Sequence, residues 1–158
     1  TEIMFNPDAT TDNWGEYLEI FNPSNEPFDL SGCLITDTAG NDSYPNGVIE
    51  PGGFHLLAAN FNSWENGGLP EVDTLLTTNL NNSSDTIYFI CDGIGTLETI
   101  SYQPGANGWP LCGDNPEDTN AGYSYEKISP EMDGSDPSSW ECADKKYGED
   151  WGSPKYSN

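Results

Sequence analysis

Carboxylates dominate the chemistry open to this chain. It carries 27 Asp and Glu residues against four basic ones, all lysines, for a formal net charge of -23. Other reactive side chains are scarce: a single histidine, His55, and four cysteines, Cys33, Cys91, Cys112 and Cys142. A zinc site needs more imidazoles or closely spaced thiols than this, and no Cys-x-x-Cys pair is present, while a Ser–His–acid triad would have to be built on His55 alone. Phosphoryl transfer lacks an arginine and a glycine-rich loop after a strand. Glycoside hydrolysis needs just two carboxylates, but among 27 acids close pairs arise by chance. No catalytic residue is assigned, and the chain is read as a non-enzyme.

Hard cations are the better use of so many oxygens, because calcium takes several ligands from carboxylates, amides and carbonyls. Four acidic clusters qualify: Asp8, Asp12 and Glu16; Asp37, Asn41 and Asp42; Asp114, Glu117 and Asp118; and Glu131, Asp133 and Asp136. None has EF-hand spacing, and turn acids of this kind also serve Asx-turns. Calcium is the one cofactor the sequence admits. Trp64, Tyr102 and Trp109 lie in or beside loops, where they could stack on sugar rings or fold inward as anchors. His55, inside Phe54-His55-Leu56-Leu57, is expected on the solvent face by alternation.

Charge also bounds the partners. A surface this acidic lacks the Lys/Arg footprint that nucleic acid requires and repels anionic lipid, and no apolar run is long enough to span a membrane. Self-association, or a polysaccharide or cell-surface partner, stays open. An even number of cysteines in an acidic chain points to two disulfides in an oxidising, extracellular or cell-surface setting. Three pairings are possible; placement in strand-like runs or in the loop-rich C-terminal third favours Cys33–Cys91 and Cys112–Cys142. Asn-x-Ser sequons at Asn41, Asn81 and Asn82 fall in turn-like stretches where glycans could attach. The chain opens at Thr1, which is expected of a processed protein or an excised piece.

The elements that must position these residues are short. Extended runs are cut by Gly, Pro, Asn and Asp: Glu2–Phe5, Gly15–Phe21, Phe28–Thr36, Val48–Ile49, Phe54–Ala59, Asp85–Cys91, Thr96–Tyr102 and Gly122–Ile128. Asp92-Gly93-Ile94-Gly95 reads as a hairpin turn between two of them. No segment sustains helical periodicity, so helices of more than two turns are not expected. Residues 60–84 and 103–121 read as long loops, and 130–158 as an irregular segment packed on the body through Trp140 and Trp151. One all-β domain spans 1–158, its core resting on Trp14, Phe21, Phe54, Tyr88 and Phe89.

Taken in order, several segments resemble the lamin tail domain of secreted bacterial proteins. Glu2-Ile3-Met4-Phe5-Asn6-Pro7 is similar to its opening, and Glu16 to Pro23 to its second strand. Asp29-Leu30-Ser31-Gly32, the hairpin Ile49–Ala59, Ser84–Ile87, Gly122–Ile128 and Gly152–Asn158 match later motifs. The resemblance implies an immunoglobulin-like β-sandwich of a kind that is non-catalytic and attached to secreted or surface proteins. The short first strand and the absence of a catalytic site lead to the expectation of a structural or adhesive module, a surface or fibril protomer that associates through β-edges; the alternative is a calcium- or carbohydrate-binding accessory domain of a larger secreted enzyme. Cys33 stands where the family carries a bulky aromatic, in keeping with a disulfide there. The apolar residues that precede the opening motif in the family do not precede Glu2, so the first strand is expected as a stub with an exposed edge open to strand addition.

Overall fold

A computed structural model describes residues 1–113 and 120–156. The turn residues cut the chain as their chemistry requires. In order it forms β1 (Glu2–Met4), the helical turn α1 (Asp12–Gly15), β2 (Tyr17–Phe21), β3 (Phe28–Asp29), β4 (Cys33–Asp37), β5 (Asp42–Ser43), β6 (Val48–Ile49) and β7 (Phe54–Ala58). There follow β8 (Thr74–Leu75), β9 (Asp85–Cys91), β10 (Gly95–Tyr102), β11 (Tyr125–Lys127), β12 (Trp140–Cys142), β13 (Lys146–Tyr147) and β14 (Asp150–Trp151). Asn22-Pro23 stops β2, because proline has no N–H to extend a ladder. Gly93 takes φ +74° in the β9–β10 turn, a conformation that costs other residues strain.

Six strands in the order β12-β11-β1-β2-β7-β8 make one sheet, and four in the order β10-β9-β4-β5 make the other. All pairings in them are antiparallel except β7 with β8. The two sheets enclose Ile3, Phe5, Leu18, Ile35, Leu57, Ile87 and an aromatic cluster of Tyr102, Trp109, Tyr125 and Trp140. This is an all-β, immunoglobulin-like sandwich. Phe5 stacks on Tyr102 with ring centroids 4.6 Å apart, and Trp109 lies 5.2 Å from Tyr125 and 5.9 Å from Trp140.

Three expectations are corrected. The core does not rest on Trp14, which is 46% exposed on α1, and Phe21, Phe54, Tyr88 and Phe89 are only half-buried. Its weight falls instead on Phe5, Tyr102, Trp109, Tyr125 and Trp140, because the glycine-rich loop after β10 can fold back over the sheets. The first strand is not an edge. β1 sits inside the large sheet, with Glu2 opposite Glu19 of β2 on one flank and Glu126 of β11 on the other. The C-terminal segment is less irregular than expected: β12 extends the large sheet and β13–β14 forms a small ribbon.

The outer face of the large sheet is covered too. Met4, Tyr17, Leu56, Ala58, Leu69 and Val72 form a second cluster there, with Tyr147 packed against it. Strands buried on both faces lose the polar–apolar alternation that a half-exposed strand shows.

Candidate functional site

His55 is corrected from solvent-facing to buried. It lies opposite Ile20 across β2 and β7, is 6% exposed, and its Nε2 shares a 2.9 Å hydrogen bond with Thr74 Oγ1 of β8. Burial lowers its pKa, against the opposing charge of Asp73.

Of the sugar-stacking candidates, Tyr102 and Trp109 are core residues, 1% and 5% exposed, and cannot present a face to a ligand. Trp64 remains, 95% exposed and in no ring pair among the described residues. Two cystines join Cys33 to Cys91, directly opposed on β4 and β9, and Cys112 to Cys142, tying the loop after β10 to β12.

The acidic clusters serve their own turns. Asp37 accepts from the main-chain and side-chain nitrogens of Asn41 at 2.9 and 2.6 Å, and these bonds hold its pKa below the usual range despite some desolvation. Asp133 and Asp136 cap the turns at Ser135 and Ser138, and Glu131 accepts from the Ser129 hydroxyl. The Asp8 N–H donates to Asp150. Asp12 accepts from Asn82, whereas Glu16 is buried and accepts from Leu80 N. Asp42, on β5, accepts from the Tyr44 hydroxyl. Asp114, Glu117 and Asp118 lie outside the described residues. Among the described residues no group of three or more His, Cys, Asp and Glu side chains is gathered to hold a metal. The sequon amides at Asn41 and Asn82 are engaged, with Asp37 and with Asn6 and Asp12, while Asn81 is exposed.

What the structure does gather lay unnoticed in the sequence. Glu2, Glu19 and Glu126 stand side by side at one register across β2, β1 and β11, on the outer face. The C-terminal segment seals them, leaving Glu2 0%, Glu126 3% and Glu19 4% exposed. Glu2 Oε1 accepts from Tyr17 Oη and Ser124 Oγ at 2.6 Å each and from Ser153 N at 3.0 Å. Among the described residues its Oε2 and the Oε1 of Glu126 and of Glu16 have no hydrogen-bond partner. Desolvation pushes Glu2 and Glu126 up to about 7 and Glu16 up to about 8, and raises Glu19. The segment passes so close that a Cβ at Gly152 would collide with Tyr17 Oη. Carboxyls this enclosed are shielded from solvent, and burial favours their protonated form. The signal that could have found the row is a Glu set among large apolar or aromatic neighbours in three separate strand runs: Glu2-Ile3, Leu18-Glu19-Ile20 and Tyr125-Glu126.

Open polar chemistry is found elsewhere. A cleft of about 480 Å³ at the end of the smaller sheet is lined by Asp37, Asn41, Asn81, Asp85, Gln103 and Asn107 among others. A family model for the lamin tail domain matches residues 1–104. The chain belongs to that family. No match is found among curated proteins or among solved structures. Lamin tail domains are structural immunoglobulin-like modules, and the sandwich here is of that kind. The matched stretch ends after β10, yet β11 and β12 complete the same sheet that β1 and β2 begin, so the lamin tail domain of this chain reaches structurally beyond the match. Its two disulfides fit an oxidising environment, and no helix among the described residues is long and apolar enough to cross a membrane.

Proposed function

We propose that this lamin tail domain is a non-catalytic extracellular structural module that associates with copies of itself through β-edges. The observation that carries the reading is β10. Eight residues long, it ends the smaller sheet and is ladder-bonded only to β9, whereas the other outer strands of the two sheets, β5, β8 and β12, have two or three residues. Long edges of this kind are usually blunted, because they template pairing with another chain. β10 carries one acid, Glu98, and exposes Leu97 beside the irregularity between Thr96 and Glu98. Calcium would assist by screening a net charge of -23 on each copy.

Sedimentation and negative-stain microscopy of the untagged protein, with and without calcium, test this. Ordered assemblies are expected, and in them the amides of residues 95–102 should gain at least tenfold protection from hydrogen exchange. A monomer at high concentration in calcium, or assemblies without that protection, would sink the reading.

The polar cleft supports a second reading, a carbohydrate- or calcium-binding accessory module, since its amides and hydroxyls suit a polyhydroxylated ligand or a hard cation. There the expectation is glycan-array hits or calorimetric calcium binding, weakened at least tenfold by Asn81→Ala together with Gln103→Ala. An unaltered response in that variant would remove the cleft from consideration.

A further inference from the structure

One end of the sandwich leaves large aromatic side chains in water. The chain is only 34% apolar, and much of its core rests on a few rings. Yet Trp14 is 46%, Phe61 56% and Trp64 95% exposed. Single apolar residues scattered over a surface need no explanation, but these three come from adjoining segments. The β2–β7 ladder pairs Tyr17 with Ala58 and runs one step further, from Ala59 N to Glu16 O. α1 therefore enters that end of the large sheet beside the loop that leaves it. Thr10 Oγ1 donates to Glu65 O at 2.9 Å, and Gly67, at φ +82°, brings the loop against Ala9 and Thr10.

The loop holds its rings out on a fixed backbone. Asn66, 1% exposed, donates to Asn60 O at 2.8 Å and accepts from Leu69 N at 3.0 Å, which staples the base of the loop. Asn62 Oδ1 accepts from Trp64 N at 3.1 Å, and Asn62 O accepts from Asn66 N at 2.9 Å. Main-chain order at Trp64 is therefore in place before any ligand arrives, which lowers the entropy cost of binding.

What surrounds the rings selects the ligand. Besides the aromatics, residues 11–15 and 60–68 are Asn, Ser, Thr, Asp, Glu and Gly, with no aliphatic side chain. A protein-binding hot spot sets its aromatic anchor in a packed apolar pocket, and these segments supply no residues for one. A pyranose has an apolar C–H face and a rim of hydroxyls. That matches an exposed indole flanked by amides and hydroxyls, such as those of the exposed Asn13, Asn62 and Ser63. A net charge of -23 turns away uronic and sulfated polymers.

We propose that Trp14, Phe61 and Trp64 form a stacking platform for an uncharged polysaccharide chain, with Trp64 as the main contact. Three rings on two adjoining segments meet several sugars of one chain, where a lone ring would hold one. The site goes beyond both readings above, since neither β10 nor the polar cleft includes any of the three.

Native electrophoresis in gels cast with hydroxyethylcellulose, galactomannan or soluble starch tests the proposal, with tryptophan fluorescence on titration of the same polymers. Expected are retardation by at least one of them, a change in emission with that polymer, and neither effect with polygalacturonate. Trp64→Ala should weaken binding at least tenfold without moving the melting temperature, because a ring that is 95% exposed supports no packing. Trp64→Phe, which keeps a flat ring, should retain most of the affinity. The cleft variant Asn81→Ala/Gln103→Ala should bind as the parent does. No retardation by any of the three polymers, or retardation that survives Trp14→Ala/Trp64→Ala, would overturn the proposal. Binding lost in the cleft variant and kept in Trp64→Ala would overturn it in favour of the cleft. A blue shift with phosphatidylcholine vesicles and no response to polysaccharide would overturn it in favour of a membrane contact.

Discussion

Raising the pH from 5 to 8 is expected to weaken this fold by several kcal/mol. Glu2, Glu126 and Glu16 titrate from an ordinary 4.5 in the unfolded chain to about 7, 7 and 8 in the folded one, because burial penalises their charged form. A carboxyl whose folded pKa is raised binds its proton more tightly when folded. Its stabilising share is therefore complete below about pH 4.5 and is lost as the pH climbs through the folded value. Glu2 alone, moved from 4.5 to about 7, accounts for about 3 kcal/mol of that loss. Glu19, Asp85 and Asp150 are raised as well and act in the same sense. Asp29, Asp37, Glu131 and Asp133 are held low by hydrogen bonds and act oppositely, but only below their ordinary range, and all but the buried Asp37 from exposed positions. Urea midpoints at pH 5 and pH 8 measure the difference. Repulsion among the 27 acids has the same sign, and 1 M salt separates the two, since it screens surface charge and leaves a sealed carboxyl untouched. Glu2→Gln keeps an oxygen for Tyr17, Ser124 and Ser153 and should flatten the slope by roughly Glu2's share. Equal stability at both pH values, or more at pH 8, would refute this reading.

How legible such features are depends on how local they are. β2, β7 and the β9–β10 hairpin could be read because each has at least five residues and a turn with its own chemistry, such as the glycines at 93 and 95. β8, β13 and β14 have two residues each, too few for any alternation; β8 exists through its pairing with β7, and β13 and β14 through each other. His55 misled for a related reason. β7 is covered on both faces, so the rule that every second residue meets water fails there. Trp14 reads as core and Trp109 as a loop aromatic, the reverse of where they lie, because the fold-back of Trp109 onto Tyr125 and Trp140 is not a local feature. The carboxylate row needed the register of three strands, one of them more than 100 residues from the others. Its members are ordinary acids until that register places them under Gly152 and Ser153.

Removing the cystines is expected to have the other large effect. Cys33–Cys91 closes a separation of 58 residues and Cys112–Cys142 one of 30. On loop-closure entropy these contribute about 4 and about 3.5 kcal/mol respectively. Together they approach the whole stability of an ordinary domain, in a chain that is only 34% apolar. Urea unfolding of Cys33→Ser/Cys91→Ser and of Cys112→Ser/Cys142→Ser, each against the oxidised parent, measures the two shares. Their consequences should also differ in place. Cys33 and Cys91 lie on neighbouring strands paired at five positions, so their loss weakens the smaller sheet without changing its register. Cys142 belongs to a three-residue outer strand beside β11, and the cystine fixes it to the loop that carries Trp109. Without that tie, the paired Trp140 and Lys127 should loosen first, seen as faster amide exchange over residues 125–128 and 139–142. Losses below about 1 kcal/mol in both variants would mean that the core alone carries the fold. The case for an oxidising compartment would then rest on the acidic composition, which a reducing compartment permits equally well.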